Sequence, residues 1–271
     1  MNRLNSVRWL CVVLGLAFIS TGVLAQAQQG SVYQPYSGQP GKDVVWVPTQ
    51  QDLVEKMLDL AKVTPQDFVV DLGSGDGRTV ITAAKRGARS LGIEFNPDMV
   101  ELSKQNAAKA GVSDKATFVK ADLFESDFSK ATVVTMFLLP DINIKLRPKI
   151  LAMKPGTRVV SNSFTMEDWE ADETAHVEAN CTSWCTAYLW IVPAKMEGKW
   201  KLPDGEITVN QEFQKITGAF VSGGKTVQFA GKVTGDTFKL SADKVEYTGE
   251  IHGNSITLKS GNNSREALRV D

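Results

Sequence analysis

Asp71, Gly73, Gly75 and Gly77 stand together in "VVDLGSGDGR", where an apolar run that reads as a buried strand gives way to a glycine loop and then to a helix opening at Arg78. That order has chemical consequences. Glycines let the backbone turn sharply and approach a ligand closely, while free amides at the start of a helix favour polar or anionic groups. A second run, "RSLGIEF", ends in Glu94, with Asn96 as the expected N-cap and Pro97 at the first helical position. Glu94 is therefore expected at the carboxyl end of the neighbouring strand, where a carboxylate can accept both hydroxyls of a ribose. Two further acids follow strand-like runs, Asp122 with Leu123 in "KADLFE" and Asp141 after "MFLLP". Open α/β sheets bind ligands at that edge.

A dinucleotide site also combines a glycine loop with an acidic second-strand end, but it requires G-x-G-x-x-G. Here Arg78 takes the place of the third glycine and Asp71 directly precedes the loop, so the nicotinamide reading is set aside. His176 and His252 are the only histidines, and no histidines or cysteines fall at a zinc spacing, so no metal is expected. The 30 Lys plus Arg against 31 Asp plus Glu leave a net charge of −1, with no global field to steer nucleic acid.

The elements that must hold these residues follow from periodicity. Val54, Met57, Leu58 and Ala61 form one apolar stripe of a helix ending before Pro65. Helical and strand-like segments then alternate as far as Val192-Pro193-Ala194-Lys195. Beyond that seam, period-2 strands separated by Gly turns run to the end, which predicts an α/β domain over 46–195 and an all-β domain over 196–271. Within the second, "FAGKVTGDTFKL" from Phe229 and "YTGEIHGNSITL" from Tyr247 repeat at a spacing of 18, each a hairpin turning at Gly235-Asp236 or Gly253-Asn254. A small meander or partial barrel is expected.

The first residues follow a different pattern. Arg3 and Arg8 precede an uncharged apolar run, and Val23-Leu24-Ala25 or Ala25-Gln26-Ala27 offers small residues for cleavage, so 1–27 reads as a secretory signal peptide. The chain is then exported to the periplasm without a stable membrane span, or anchored if the segment is not cleaved. Residues 28–45 read as a flexible lead-in. Export leaves Cys181 and Cys185, which bracket a short turn in "ANCTSWCTAYLW" and are expected to form a disulfide across a hairpin mouth.

The successive blocks "VVDLGSGDGRTVITAAKRGA", "GIEFNP" and "KADLFE" resemble the ordered motifs of class I S-adenosylmethionine-dependent methyltransferases, over roughly 47–192. "WVPTQQDLVEKML" and "VVTMFLLPDINIKLRPKI" are similar to the bacterial relatives of mitochondrial protein-lysine methyltransferases. The resemblance implies a Rossmann-like doubly wound sheet of seven strands, and the short turn at Cys181 to Cys185 makes its last strand antiparallel. It implies S-adenosylmethionine as cofactor, held by Asp71, Gly73, Gly75 and Gly77 around the methionine part. Glu94 takes the ribose, Asp122 the adenine amine, and Leu123 flanks the ring. Thr49 caps the first helix or touches the cofactor carboxylate.

The implied reaction is methyl transfer to a protein lysine amine. Asp141 is the candidate proton acceptor, or else an N-cap of the following helix. Trp46 and Trp169 line a substrate channel or pack in the interior. The fourth motif lacks the Asn-Pro-Pro-Tyr of amide and adenine methyltransferases, so nucleic acid is not the expected acceptor. A small-molecule amine remains open. So does an exported binding or envelope-associated protein that keeps the fold without turnover, because the cofactor is made in the cytosol. Oligomeric state and the role of the β domain are not legible.

Overall fold

Valines set the centre of the first domain, because strands covered on both faces need apolar side chains on both. In the computed structural model, which describes residues 33–179 and 181–270, the predicted helix is α1 (Gln51–Leu60). It is followed by β1 (Phe68–Leu72), α2 (Arg78–Lys85), β2 (Arg89–Glu94), α3 (Pro97–Lys109), β3 (Ala116–Lys120) and β4 (Val133–Met136). Then come α4 (Pro140–Leu151), β5 (Arg158–Asn162), β6 (Glu173–His176) and β7 (Thr186–Ile191). The sheet order is β3-β2-β1-β4-β5-β7-β6. Strands β1 to β5 pair in parallel, while β7 runs antiparallel to both β5 and β6.

Period-2 alternation sorts the side chains onto the two faces. Val69, Val133 and Val160 bury against Leu53, Val54 and Leu58 of α1, whereas Val70, Val134 and Val159 meet Leu146 and Ile150 of α4. The chain builds outward from β1 to β3, then restarts beside β1 with β4, so a crevice opens at the carboxyl ends of β1 and β4.

The second architecture is an antiparallel barrel of β8 (Gly198–Leu202), β9 (Gly205–Glu212), β10 (Lys215–Ser222), β11 (Lys225–Thr234), β12 (Thr237–Ala242), β13 (Val245–His252), β14 (Ser255–Ser260) and β15 (Asn263–Arg269). The repeat hairpins are β11 with β12 and β13 with β14. Closure is complete rather than partial, since β15 returns to β8 through Leu268 opposite Lys201. Gly249 faces the ring of Phe238, where a Cβ would stand 2.4 Å from the nearest ring carbon, so a bare backbone is needed for the walls to close.

Sheet and barrel belong to one compact unit. The connection 163–172 between β5 and β6 carries no helix, and its fully buried Trp169 stacks on Phe213 from the barrel, with centroids 5.9 Å apart and planes 16° from parallel. Gln214 donates to the carbonyl of Glu170 at 2.7 Å, and Lys232 pairs with Asp172 at 2.7 Å. Trp169 is therefore a packing residue and lines no channel.

The expected signal peptide at 1–27 lies outside the described residues. Of the lead-in expected to be flexible over 28–45, residues 28–32 also lie outside the described residues, and the part from Tyr33 on is held by local hydrogen bonds. Trp46 donates to the Gln39 carbonyl at 2.9 Å and accepts from Gly38 at 2.8 Å, folding the segment into a strap.

Candidate functional site

The crevice contains a cavity of about 220 Å³, with the strap as one wall and the carboxyl ends of β1 to β5 as the other. All of Asp71, Gly73, Gly75, Glu94, Asp122, Leu123 and Thr49 line it. Gly77 does not; it is the N-cap of α2 at φ 82°, and a Cβ there would fall 2.7 Å from the Phe118 ring. Its role is to let α2 start under the loop, since only glycine adopts that conformation without strain.

The loop is fastened from three sides. The amide of Gly75 donates to Glu94 Oε2 at 2.9 Å, the hydroxyl of Ser103 donates to the Gly75 carbonyl at 2.8 Å, and Asn106 donates to the Asp76 carbonyl at 3.0 Å. Asn96 is the N-cap of α3 as expected, and its own amide donates to Glu94 Oε1 at 2.9 Å. Each Glu94 oxygen thus holds one backbone amide and keeps a lone pair free for a further donor. Ser74 contributes a buried hydroxyl without a partner.

Charge is distributed unevenly around the cavity. Asp71 lies buried below the loop, accepting from the Thr135 hydroxyl at 2.6 Å, and burial pushes its carboxyl up to about 7. Glu94 and Asp76 reinforce that rise, while Thr135 opposes it. Asp76 pairs with Arg78 at 2.6 Å, and Arg78 also donates to the Thr49 carbonyl at 2.7 Å. Arg78, read in the sequence only as a departure from the dinucleotide pattern, thereby links the glycine loop to the entry of α1. Asp122 accepts from the Phe124 amide at 2.9 Å and pairs with Lys42 of the strap. The Lys42 hydrogen bond holds the Asp122 carboxyl below its ordinary range, and the same bond raises the Lys42 ammonium.

Two expected roles change. Thr49 is not the cap of α1, because Gln50 occupies that position; its hydroxyl accepts from buried Asn162 at 3.2 Å instead. Asp141 is neither an N-cap nor a lining residue. Leu139 is the cap of α4, Pro140 follows, and Asp141 stands exposed in the first turn, outside the cavity. Pro140 fits the first helical position because its missing N–H has no partner to lose there.

Phe137, Phe164 and Trp184 were not legible as site residues. They line the β4, β5 and β7 side of the same cavity, with Leu138, Leu139 and Ile142 beside them. Phe137 directly follows β4, Phe164 lies two residues beyond β5, and Trp184 sits in the turn closed by the Cys181 to Cys185 disulfide, whose Cα atoms are 5.8 Å apart. The available signal was their position beside strand ends, Phe137 and Phe164 just after β4 and β5 and Trp184 just before β7. Trp46 lines the cavity as well, across the loop from Asp71.

A sequence model of the ANTKMT methyltransferase domain matches residues 71–173. A protein-lysine N-methyltransferase of Saccharolobus islandicus is 44% identical over 152 residues, which is 55% of this chain and 94% of that relative. The chain belongs to the class I S-adenosylmethionine-dependent methyltransferases. Its cofactor is S-adenosylmethionine, and its seven-stranded sheet is the Rossmann-like fold of that family. A solved Salinibacter ruber structure, named an RNA methyltransferase in complex with S-adenosyl-L-homocysteine, is 47% identical with a TM-score of 0.52, covering 55% of this methyltransferase and 96% of that chain. The adenine nucleotide translocase lysine N-methyltransferase of Mus musculus is 38% identical over 119 residues, covering 43% of this methyltransferase and 52% of the relative. The methyltransferase thus spans about half the length of that relative. The domain match stops at 173, before the barrel begins at Gly198.

Proposed function

We propose that this methyltransferase transfers the methyl group of S-adenosylmethionine to a lysine amine of a protein. The observation that carries the reading is the division of the cavity. Its β1 to β3 side presents the glycine loop, Glu94 and Asp122, while its β4 to β7 side is apolar and aromatic. Besides Asp71, whose carboxyl is pushed up to about 7 by burial, the charged lining among the described residues consists of Asp43, Asp76, Glu94 and Asp122 against Lys42 and Arg78. An excess of carboxylates attracts a cationic side chain and repels a phosphate backbone.

The residues fit the cofactor on two counts. Ser74 offers an unpartnered hydroxyl, and Glu94 keeps free lone pairs on both oxygens. Gly73, Gly75 and Asp71 would hold the methionine part, Glu94 the ribose, and Asp122 with Leu123 the adenine. Once bound, the cofactor supplies a methyl carbon already activated by its sulfonium. A lysine amine must lose its proton before it attacks, and the reference pKa is about 10.4. Phe137, Leu138 and Ile142 strip water from an amine beside them, which favours the neutral form. The strap forms the opposite wall.

The Salinibacter structure's name motivates RNA as the second acceptor. Both are tested by incubating purified protein with methyl-labelled cofactor and whole-cell extract, against an Asp71→Ala, Glu94→Ala double variant. Label that is protease-sensitive and maps to methylated lysines supports the proposal. Ribonuclease-sensitive label favours the second acceptor, and no transfer despite tight binding favours a module without turnover.

We also infer an oxidising compartment. Its supports are the basic and apolar N-terminal pattern and the bridged pair Cys181 and Cys185. Thiol labelling of both cysteines in protein recovered without reductant would reject it.

A further inference from the structure

Three rings converge at the apolar side of the cavity. Phe137 and Phe164 lie with centroids 5.9 Å apart, Phe164 and Trp184 are 5.1 Å apart at 47°, and Phe137 and Trp184 are 5.8 Å apart at 60°. All three line the same cavity as Asp71 and Glu94, so the rings and the glycine loop share one space. They come from three different strand ends, and nothing in their sequence spacing would bring them together.

Trp184 is the unusual member. It remains 44% exposed although it is an indole, and it holds a left-handed backbone at φ 58°. A bulky side chain rarely adopts that conformation unless its surroundings impose it, and such strain gathers at functional positions. The surroundings here are the disulfide, which closes the loop four residues apart in sequence, and the two phenylalanines. The bridge thus fixes an exposed indole at the rim of a catalytic cavity rather than stapling the core.

We propose that Phe137, Phe164 and Trp184 form the acceptor seat for a lysine side chain, and that the Cys181 to Cys185 disulfide sets acceptor affinity by holding Trp184 in it. The inference rests on the protein-amine reading above and names the residues that select the acceptor. Ring faces carry negative potential, so tilted rings attract an ammonium at the rim while their surfaces bury the methylene stem. The carboxylates of the lining, Asp43 and Glu94 among them, add to the attraction for a cation. Phe137 and Phe164 are near-parallel at 21°, but with centroids 5.9 Å apart they stack on each other and leave no slot for a flat base, and Trp184 stands at 47° and 60° to them. Trp184 acts on the acceptor, and the cysteines are positioning residues that act through it.

The test uses the full chain, methyl-labelled cofactor, and two acceptor probes, poly-L-lysine and total cellular RNA. Trp184→Ala should raise KM for poly-L-lysine about tenfold, with the change carried by KM rather than kcat, and Trp184→Phe should restore most of it. The Cys181→Ser, Cys185→Ser double variant should reproduce the KM rise, with calorimetric affinity for S-adenosylhomocysteine held at the wild-type value. Transfer to poly-L-lysine with KM unchanged in Trp184→Ala overturns the seat while leaving the protein-amine reading intact. A raised KM in Trp184→Ala with no change in the double serine variant overturns the role of the bridge alone. Wild-type labelling of RNA but not of poly-L-lysine overturns both, as does transfer to neither.

Discussion

The backbone amide of Gly75 donates to the carboxylate of Glu94 at 2.9 Å, across 19 residues of sequence. The glycine loop after β1 and the acid ending β2 are therefore one structural unit. Any ligand that engages Glu94 also feels the position of the loop. Replacing Glu94 by Ala should weaken S-adenosylhomocysteine binding by about 2 kcal/mol, the scale for hydrogen bonds to a charged group. Unchanged affinity by calorimetry would remove Glu94 from the site.

Gly75→Ala combines two costs. The left-handed backbone strains a non-glycine residue by roughly 1–2 kcal/mol, and the new methyl would lie 2.4 Å from the Trp46 indole nitrogen. Cofactor affinity should fall, and a second change, Trp46→Ala, should recover the steric part but not the backbone part. A double-mutant cycle measures the separation; additive effects would mean that strap and loop do not touch in solution.

Asp71 predicts a pH dependence whose sign is fixed by burial. Its carboxyl rises from 3.8 to about 7 in the folded protein, so the folded state binds the proton more tightly than the unfolded chain. Stability contributed by the protonated form is complete below about 3.8 and is lost as pH rises toward about 7. Asp71→Asn should therefore gain on the wild type by about 2–3 kcal/mol between pH 5 and pH 8, at about 1.4 kcal/mol per unit within the window. Denaturant unfolding at both pH values checks it, and parallel curves for the two proteins would refute it.

Asp141→Asn should leave turnover within about twofold, because the exposed side chain lies outside the cavity. The helix loses a favourable charge in its first turn, on the order of 0.5 kcal/mol. A large fall in kcat with normal cofactor affinity would restore Asp141 as a proton acceptor.

Phe213→Ala tests the joint between barrel and sheet. The ring covers fully buried Trp169, so truncation should cost about 2 kcal/mol, less than the range for a phenylalanine buried on all sides. Thermal unfolding should shift downward while cofactor affinity stays the same. No shift would mean that the stack of Phe213 on Trp169 adds nothing to stability.

Short-range pattern carried much of this protein in the sequence. The apolar stripe of α1, the strand, glycine loop and helix around Asp71, the cap at Asn96 and the hairpins turning at Gly235 and Gly253 are all set within a few residues. Each depends on backbone preferences and periodicity, which a sequence displays directly. The candidate cofactor residues were legible because strand ends of an open sheet fall along one edge. Relations between distant segments required the fold. Asp122 meets Lys42 across 80 positions, Thr135 meets Asp71 across 64, and Phe137, Phe164 and Trp184 meet only because β4, β5 and β7 are neighbours. Asp141 misled for the same reason. Its position after a strand was readable, but whether the helix turned its side chain toward the cavity depended on where Leu139 and Pro140 started that helix. Local preferences fix elements, whereas packing and sheet order decide which side chains share a space.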